Sequence, residues 1–249
     1  MTDSKIIQCR QLIPGKLSTG YSDKALDLVI SPGEMISIIG PNCAIKSLWL
    51  KTICGLEYPL SGTVHIHGID TLNLSAKDWS MTRIKVAYLH ADTALLSAAN
   101  GLMNVLAPAI YHQLDKKLKE GILAIKALKL LEEIDPDLDL DDLPAYISKE
   151  QQFKIAIARA LLLEPDVLAL DNPFTHFEID SKHQFQSFLI DRIKKGLSLL
   201  ITTADLSFVL NNSDKTLFAE HDKLYYFDSK QALLNCSIPA INEYIRLNS

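Results

Sequence analysis

The stretch "ISKEQQFKIAIARALLLEPDVLALDNPF", Ile147 to Phe174, decides how this 249-residue chain reads. Lys149 to Glu164 is a strong helical run, and Pro165 stops it because proline cannot continue a helix. "DVLALD" is then a hydrophobic strand that finishes on an acid, Asp171. The same alternation extends outward. Downstream come a helix around Lys182 to Lys195 and the strands "LSLLITT", "KTLFAE" and "KLYYFD". Upstream are the β-rich runs "KIIQCRQL" and "ALDLVIS", the second ended by Pro32-Gly33. The buried-strand run "EMISIIG", a helix "KSLWLKTICG" closed by Gly55, and the strands "GTVHIHG" and "IKVAYLH" follow. From about Asn100 to Ile134 the texture is helical, with Leu114, Leu118, Ile122, Ile125 and Leu128 at helical spacing. The acidic stretch "DPDLDLDDLPA" reads as a solvated linker that would suit a basic partner. Strands alternating with helices imply an α/β fold with a mostly parallel sheet, interrupted by an inserted helical block.

Composition narrows the classes. Hydrophobic residues make up 48% and charged residues 22% of the chain, which is globular and not disordered. A net charge of −5 without a basic run argues against nucleic acid as a partner. The cysteines Cys9, Cys43, Cys54 and Cys236 are scattered, which suits reduced thiols better than disulfides or zinc. "MTDSKIIQCR" lacks a signal-peptide apolar region, and no apolar run approaches bilayer length. The expectation is a cytoplasmic chain whose membrane role, where it has one, runs through a partner.

"GPNCAIKS", Gly40 to Ser47, is close to the phosphate-loop pattern G-x-x-x-x-G-K-[ST], with Ile45 at the second glycine. It sits between a strand and a helix, as such loops do. In such a loop, backbone N–H groups and the helix N-terminus face phosphates; Lys46 would reach the β/γ-phosphates and Ser47 would hold Mg²⁺. The alternative is an ordinary strand-to-helix turn.

The order of blocks separates these readings. "ISKEQQFKIAIARALLLEPDVLALDNPF" resembles the signature-to-Walker-B block of ATP-binding-cassette (ABC) ATPases. "PGEMISIIGPN" is similar to that family's entry into Walker A, and "KTICGLEYPLSGTVHIHGID" to the segment after it. The resemblance covers nearly the whole chain. It implies a P-loop NTPase fold with a mixed sheet, an antiparallel β subdomain and an inserted helical subdomain at about residues 91–164, all within one domain spanning 1–249. It further implies a nucleotide site of Gly40, Asn42, Lys46, Ser47 and Asp171, with Ser47 and Asp171 associated with Mg²⁺, and Tyr21 stacking on adenine. An exposed loop tyrosine is the other reading of Tyr21. The signature residues Ser148 and Gln151 would face a second cassette, a copy of this chain or another ABC subunit. An integral membrane permease would be the further partner. A weaker resemblance, to Mla/MCE-type lipid-transport ATPases, rests on "ALLSAANGLMNVLAPAIYH" and "KQALLNCSIPAINEYIRL".

Departures from the family pattern shape the functional expectation. Cys43 and Ile45 replace two loop glycines, which either strains the backbone by about 1–3 kcal/mol or gives the loop another shape. Asn172 stands where the catalytic glutamate belongs, Ala91 at the Q-loop glutamine and Ala204 at the switch histidine. Lys149 and Glu150 replace signature glycines, and Glu150 would repel a partner's phosphate. "THFE", Thr175 to Glu178, replaces the usual D-loop. The expectation is a degenerate ABC subunit of a membrane transport complex, structural or regulatory, with impaired binding of ATP and Mg²⁺. The alternatives are a slow transport ATPase and a soluble ABC-like assembly factor. Three other residues have milder readings: His65 and His67 share a strand face without a third metal ligand, and Cys43 is a small residue tolerated in a relaxed loop.

Overall fold

The computed structural model describes residues 5–15, 25–92, 94–112, 121–220 and 223–248. Tyr21, Leu114 and Leu118 lie outside them. Among the described residues the strands form two sheets. The first contains β1 (Ile7–Pro14), β2 (Leu26–Ile30), β4 (Pro59–Ile66) and β5 (Ile69–Asp70), antiparallel in the order β2-β1-β4-β5. The second contains β3 (Met35–Ile39), β6 (Val86–His90), β7 (Val167–Asp171), β8 (Ser198–Thr202), β9 (Lys215–Glu220) and β10 (Lys223–Phe227), in the order β10-β9-β3-β8-β7-β6. All its pairings are parallel except β9 with β10. The sheet is therefore mixed. β3, β7 and β8 are buried along their whole length, which explains their unbroken apolar runs.

The helices are α1 (Cys43–Ile53), α2 (Ala76–Lys85), α3 (Gly101–Tyr111), α4 (Ile122–Ile134), α5 (Lys149–Leu161), α6 (Ile179–Lys194), α7 (Leu206–Asn212), α8 (Lys230–Leu234) and α9 (Pro239–Asn248). One core lies between the large sheet and α4, α5 and α6, built on Phe153, Ile155, Leu168, Leu170 and Phe185. The other lies between the two sheets and α1, built on Ile7, Ile38, Trp49, Leu50 and Ala169. Helix α9 covers the β9 side, where Tyr244 meets Phe218 edge to face at 5.3 Å.

Several expectations need correction. Helix α1 begins at Cys43, three residues before the expected Lys46, and α6 begins at Ile179 instead of Lys182. Ile84 and Lys85 end α2, a helix the apolar pattern concealed because its burial is slight. Ile122, Ile125 and Leu128 do share a face of α4, but it is exposed; Leu123, Ala127, Leu130 and Leu131 face the core. His67 leaves the strand at a turn with φ 49° and bonds Asp166, so it shares no face with His65. No group of three or more His, Cys, Asp or Glu among the described residues is placed to hold a metal.

Candidate nucleotide site

The site is assembled where β3, β7 and β8 end. Gly40 leaves β3 with φ 138°, and a side-chain carbon there would lie 2.1 Å from the Ala219 carbonyl oxygen. Only glycine fits this position. The chain then turns directly into α1. Asn42 is the N-cap, its side chain accepting from the Ile45 N–H at 3.3 Å. Neither Cys43 nor Ile45 has positive φ, so the loop carries none of the expected strain. The first turn of α1 therefore includes Cys43, Ala44 and Ile45. Ile45 is 8% exposed and packs beside Trp49 and Leu50 in the core, while Cys43 is exposed in the first turn of α1.

Lys46 is 2% exposed. Burial pushes its ammonium below the ordinary lysine range, opposed in part by the neighbouring Cys43 and Asp171. The buried thiols behave in the opposite sense. Burial, with a smaller contribution from Asp27, pushes Cys9 up to about 12, so it is an inert packing residue.

Asp171 is fully buried and brings the site together. Its Oδ1 accepts from Ser47 Oγ at 2.8 Å, from Thr202 Oγ1 at 2.6 Å and from Asn172 Nδ2 at 3.4 Å. Its Oδ2 accepts from the Tyr88 hydroxyl at 2.8 Å. A carboxylate offers about four lone-pair sites, and four donors meet this one. Three of them crowd Oδ1, while Oδ2 meets Tyr88 alone. Tyr88 and Thr202 were not legible as site residues. Tyr88 is one tyrosine in an apolar strand, and only the β6–β7 register, His90 opposite Asp171, places its ring beside the acid.

Asn172 has φ 51°, a conformation that asparagine tolerates better than most residues, and its N–H donates to Thr202 Oγ1 at 2.9 Å. Asn172 and Ala204 line a recess of about 360 Å³ with Phe174, Phe177, Lys182 and Asp205. Asp205 is its one lining acid among the described residues, and it is already engaged. It accepts from the Phe208 N–H at 2.9 Å, pairs with Lys182 at 3.0 Å and accepts from Gln186 at 3.0 Å. Ala91 is buried, with its N–H on the Asp171 carbonyl at 3.0 Å.

The signature segment forms a capping box at the head of α5. Gln151 N–H donates to Ser148 Oγ at 3.1 Å, and Ser148 N–H donates to Gln151 Oε1 at 2.9 Å. Gln151 is thereby turned back on its own helix, while the Ser148 hydroxyl keeps its proton to donate. Glu150, expected to face a partner's phosphate, is held within its own chain. Its carboxylate pairs with the buried Lys154 and accepts from Ser181 Oγ at 3.0 Å. Asp135, the first residue of the acidic linker, takes the other side of Lys154 at 2.7 Å, so this part of the linker is structural.

A family profile described as "ABC transporter" matches residues 24–175. The chain belongs to the ABC transporter family and carries its ATP-binding domain. It is 29% identical over 202 residues to the macrolide export ATP-binding/permease protein MacB of Haemophilus ducreyi, covering 81% of this chain and 28% of that one. It is 28% identical over 224 residues to the lipoprotein-releasing system ATP-binding protein LolD of Colwellia psychrerythraea, covering 88% of this chain and 82% of that one. The chain thus spans under a third of the first relative's length and most of the second's. Its fold matches the dimeric post-hydrolysis state of the ATP-binding cassette MJ0796 bound to ADP and Pi, with a TM-score of 0.73 at 23% identity over 89% of this chain and 98% of that one. No helix among the described residues is long and apolar enough to cross a membrane.

Proposed function

We propose that this chain is the non-hydrolysing ABC subunit of a membrane transport complex, where it supplies shape and contacts instead of turnover. The observation that carries the reading is the recess beside Asn172. A general base there must accept a proton from water, and such a base contributes about 10²–10⁴ in rate. Asn172 is an amide, Ala204 a methyl group, and Asp205 is bound to Lys182, Gln186 and the Phe208 N–H. The helical start at Cys43 supports weak engagement of ATP, and the hydrogen-bonded Asp171 supports weak engagement of Mg²⁺. If binding persists, Lys46, Ser47 and Tyr21 carry it.

The partners follow from the same reading. A second cassette, a copy of this chain or another ABC subunit, faces the head of α5. An integral membrane permease docks on the helical subdomain, about residues 91–164. There Leu96 and Met103 are exposed, with Ile110 and Tyr111 further along α3, and an apolar helix would cover them. The subunit is held at the inner face of the membrane by that partner, and nucleic acid has no role. Titration of MgATP against the isolated chain, with phosphate release read in parallel, tests the assignment. Micromolar affinity with turnover that Lys46→Ala abolishes would refute it.

A further inference from the structure

We propose that Cys43 is a modification site: its thiol exchanges with anionic disulfides of the glutathione class, which the charge at the head of α1 draws in. No nucleotide enters the exchange, so it stands apart from the question of ATP turnover.

Access selects this cysteine. Of the four, Cys43 is the exposed one and Cys9 and Cys54 are buried. Cys236 is half-buried, and its Sγ donates to Asn242 Oδ1 at 3.8 Å. Burial pushes the Cys54 thiol up, as it does Cys9, and a thiol that keeps its proton is no nucleophile. Cys43 is the first residue of α1, and no hydrogen bond among the described residues engages its N–H or that of Ala44. Asn42 takes only the Ile45 N–H. A helix start with free N–H groups favours negative charge beside it.

A second, separate feature points the same way. Lys46, one turn along, is 2% exposed, and its ammonium makes no hydrogen bond or ion pair among the described residues. Its neighbours are Cys43 and Asp171. Asp171 is bound by Ser47, Thr202, Asn172 and Tyr88, and not by Lys46. A buried ammonium without a bonded counter-ion is costly, and an anion arriving at Cys43 lowers that cost. In the exchange, the Cys43 proton goes to solvent and the thiolate attacks one sulfur of the disulfide. The new S–S bond to Cys43 forms as the reagent's S–S bond breaks, and the other half departs as a thiolate with the electron pair. The half that stays carries carboxylates to the head of α1.

The test uses the full chain with glutathione disulfide as the probe, read by intact mass and peptide mapping. The ethyl ester of glutathione disulfide, which lacks the carboxylate charges, is the matched cationic probe. One glutathione should add first at Cys43, and Cys43→Ser should remove that adduct. The preference of Cys43 for the acid over the ester should exceed its preference in the urea-unfolded chain by at least about threefold, the scale of helix-end electrostatics. Salt at about 0.5 M should shrink this excess in wild type. Lys46→Met, with folding checked by thermal melting, should lose most of it. The proposal is overturned if Cys236 or no cysteine reacts first, or if folded wild type shows no excess over the unfolded chain. It is equally overturned if the excess is insensitive to salt, or if a folded Lys46→Met variant keeps all of it. Should Lys46→Met not fold, the salt series in wild type decides.

Discussion

Lys154 and Glu150, one turn apart on α5, form a buried ion pair that ties the signature helix to its surroundings. Asp135 closes the other side of the ammonium, and the second Glu150 oxygen reaches Ser181 on α6. A residue type foreign to the signature pattern thus acts as a strut between two helices. Five predictions follow from relationships of this kind.

Lys154→Met leaves two carboxylates without their cation in a largely buried place. It should cost about 3 kcal/mol in urea unfolding at neutral pH. Burial alone would lower the lysine's pKa, but the bonds and charges of Asp135 and Glu150 outweigh it and the net shift is upward. A raised folded pKa contributes stability below the unfolded value, about 10.4, and loses it as pH rises through the folded one. The gap between wild type and variant should hold from about pH 6 to 9 and narrow above about pH 10.4. A gap that is absent at neutral pH would show that the strut is solvent-screened.

Asp205→Ala removes the N-cap of α7 and the partner of Lys182. It should cost about 1–2 kcal/mol at pH 7. Burial raises the Asp205 pKa, yet the Phe208 N–H, Lys182 and Gln186 together hold it below the ordinary range. That stability is present above the unfolded value of about 3.9 and is lost as pH falls through the folded one. Denaturation curves for the two proteins should converge in acid below about pH 4. Persistence of the difference there would mean that the cap acts without its charge.

Ile45→Gly restores the glycine of the phosphate-loop pattern but removes a buried core side chain from a helical turn. Cavity formation and the poor helix propensity of glycine together should cost at least about 3 kcal/mol in chemical denaturation. The substitution should not restore hydrolysis. Appearance of turnover would show that the loop's shape, and not Asn172 and Ala204, is limiting.

Leu96 and Met103 are 54% and 48% exposed, so charges placed there should not unfold the chain. The double variant Leu96→Glu, Met103→Glu should keep its melting temperature and lose co-purification with the membrane complex. A folded double variant that still co-purifies would place the permease contact elsewhere.

In the intact complex, ATPase activity should belong to another subunit's Walker motifs. Lys46→Ala and Asp171→Asn in this chain should leave it nearly unchanged. Ser148→Arg should lower it, because the Ser148 hydroxyl keeps a proton to donate across the dimer. Complex ATPase rates of the three variants decide this, and a large loss with Lys46→Ala would show that this chain's own loop is catalytic.

The sequence by itself determined the fold. The buried runs at β3, β7 and β8 are unbroken and apolar because both faces of a central parallel strand are covered, and that pattern survives in one dimension. Ser47 and Asp171 were legible as candidates for one place because each ends or follows such a run, and they meet at 2.8 Å although 124 positions separate them. Tertiary structure alone decided the condition of the site. Whether Ile45 strains a loop or starts a helix depends on the apolar space under α1, not on its neighbours in sequence. Whether Glu150 faces a phosphate or Lys154 depends on how α5 meets α6 and Asp135. Tyr88 closes on Asp171 through strand register, and register is set by pairing across the sheet, which no single strand encodes.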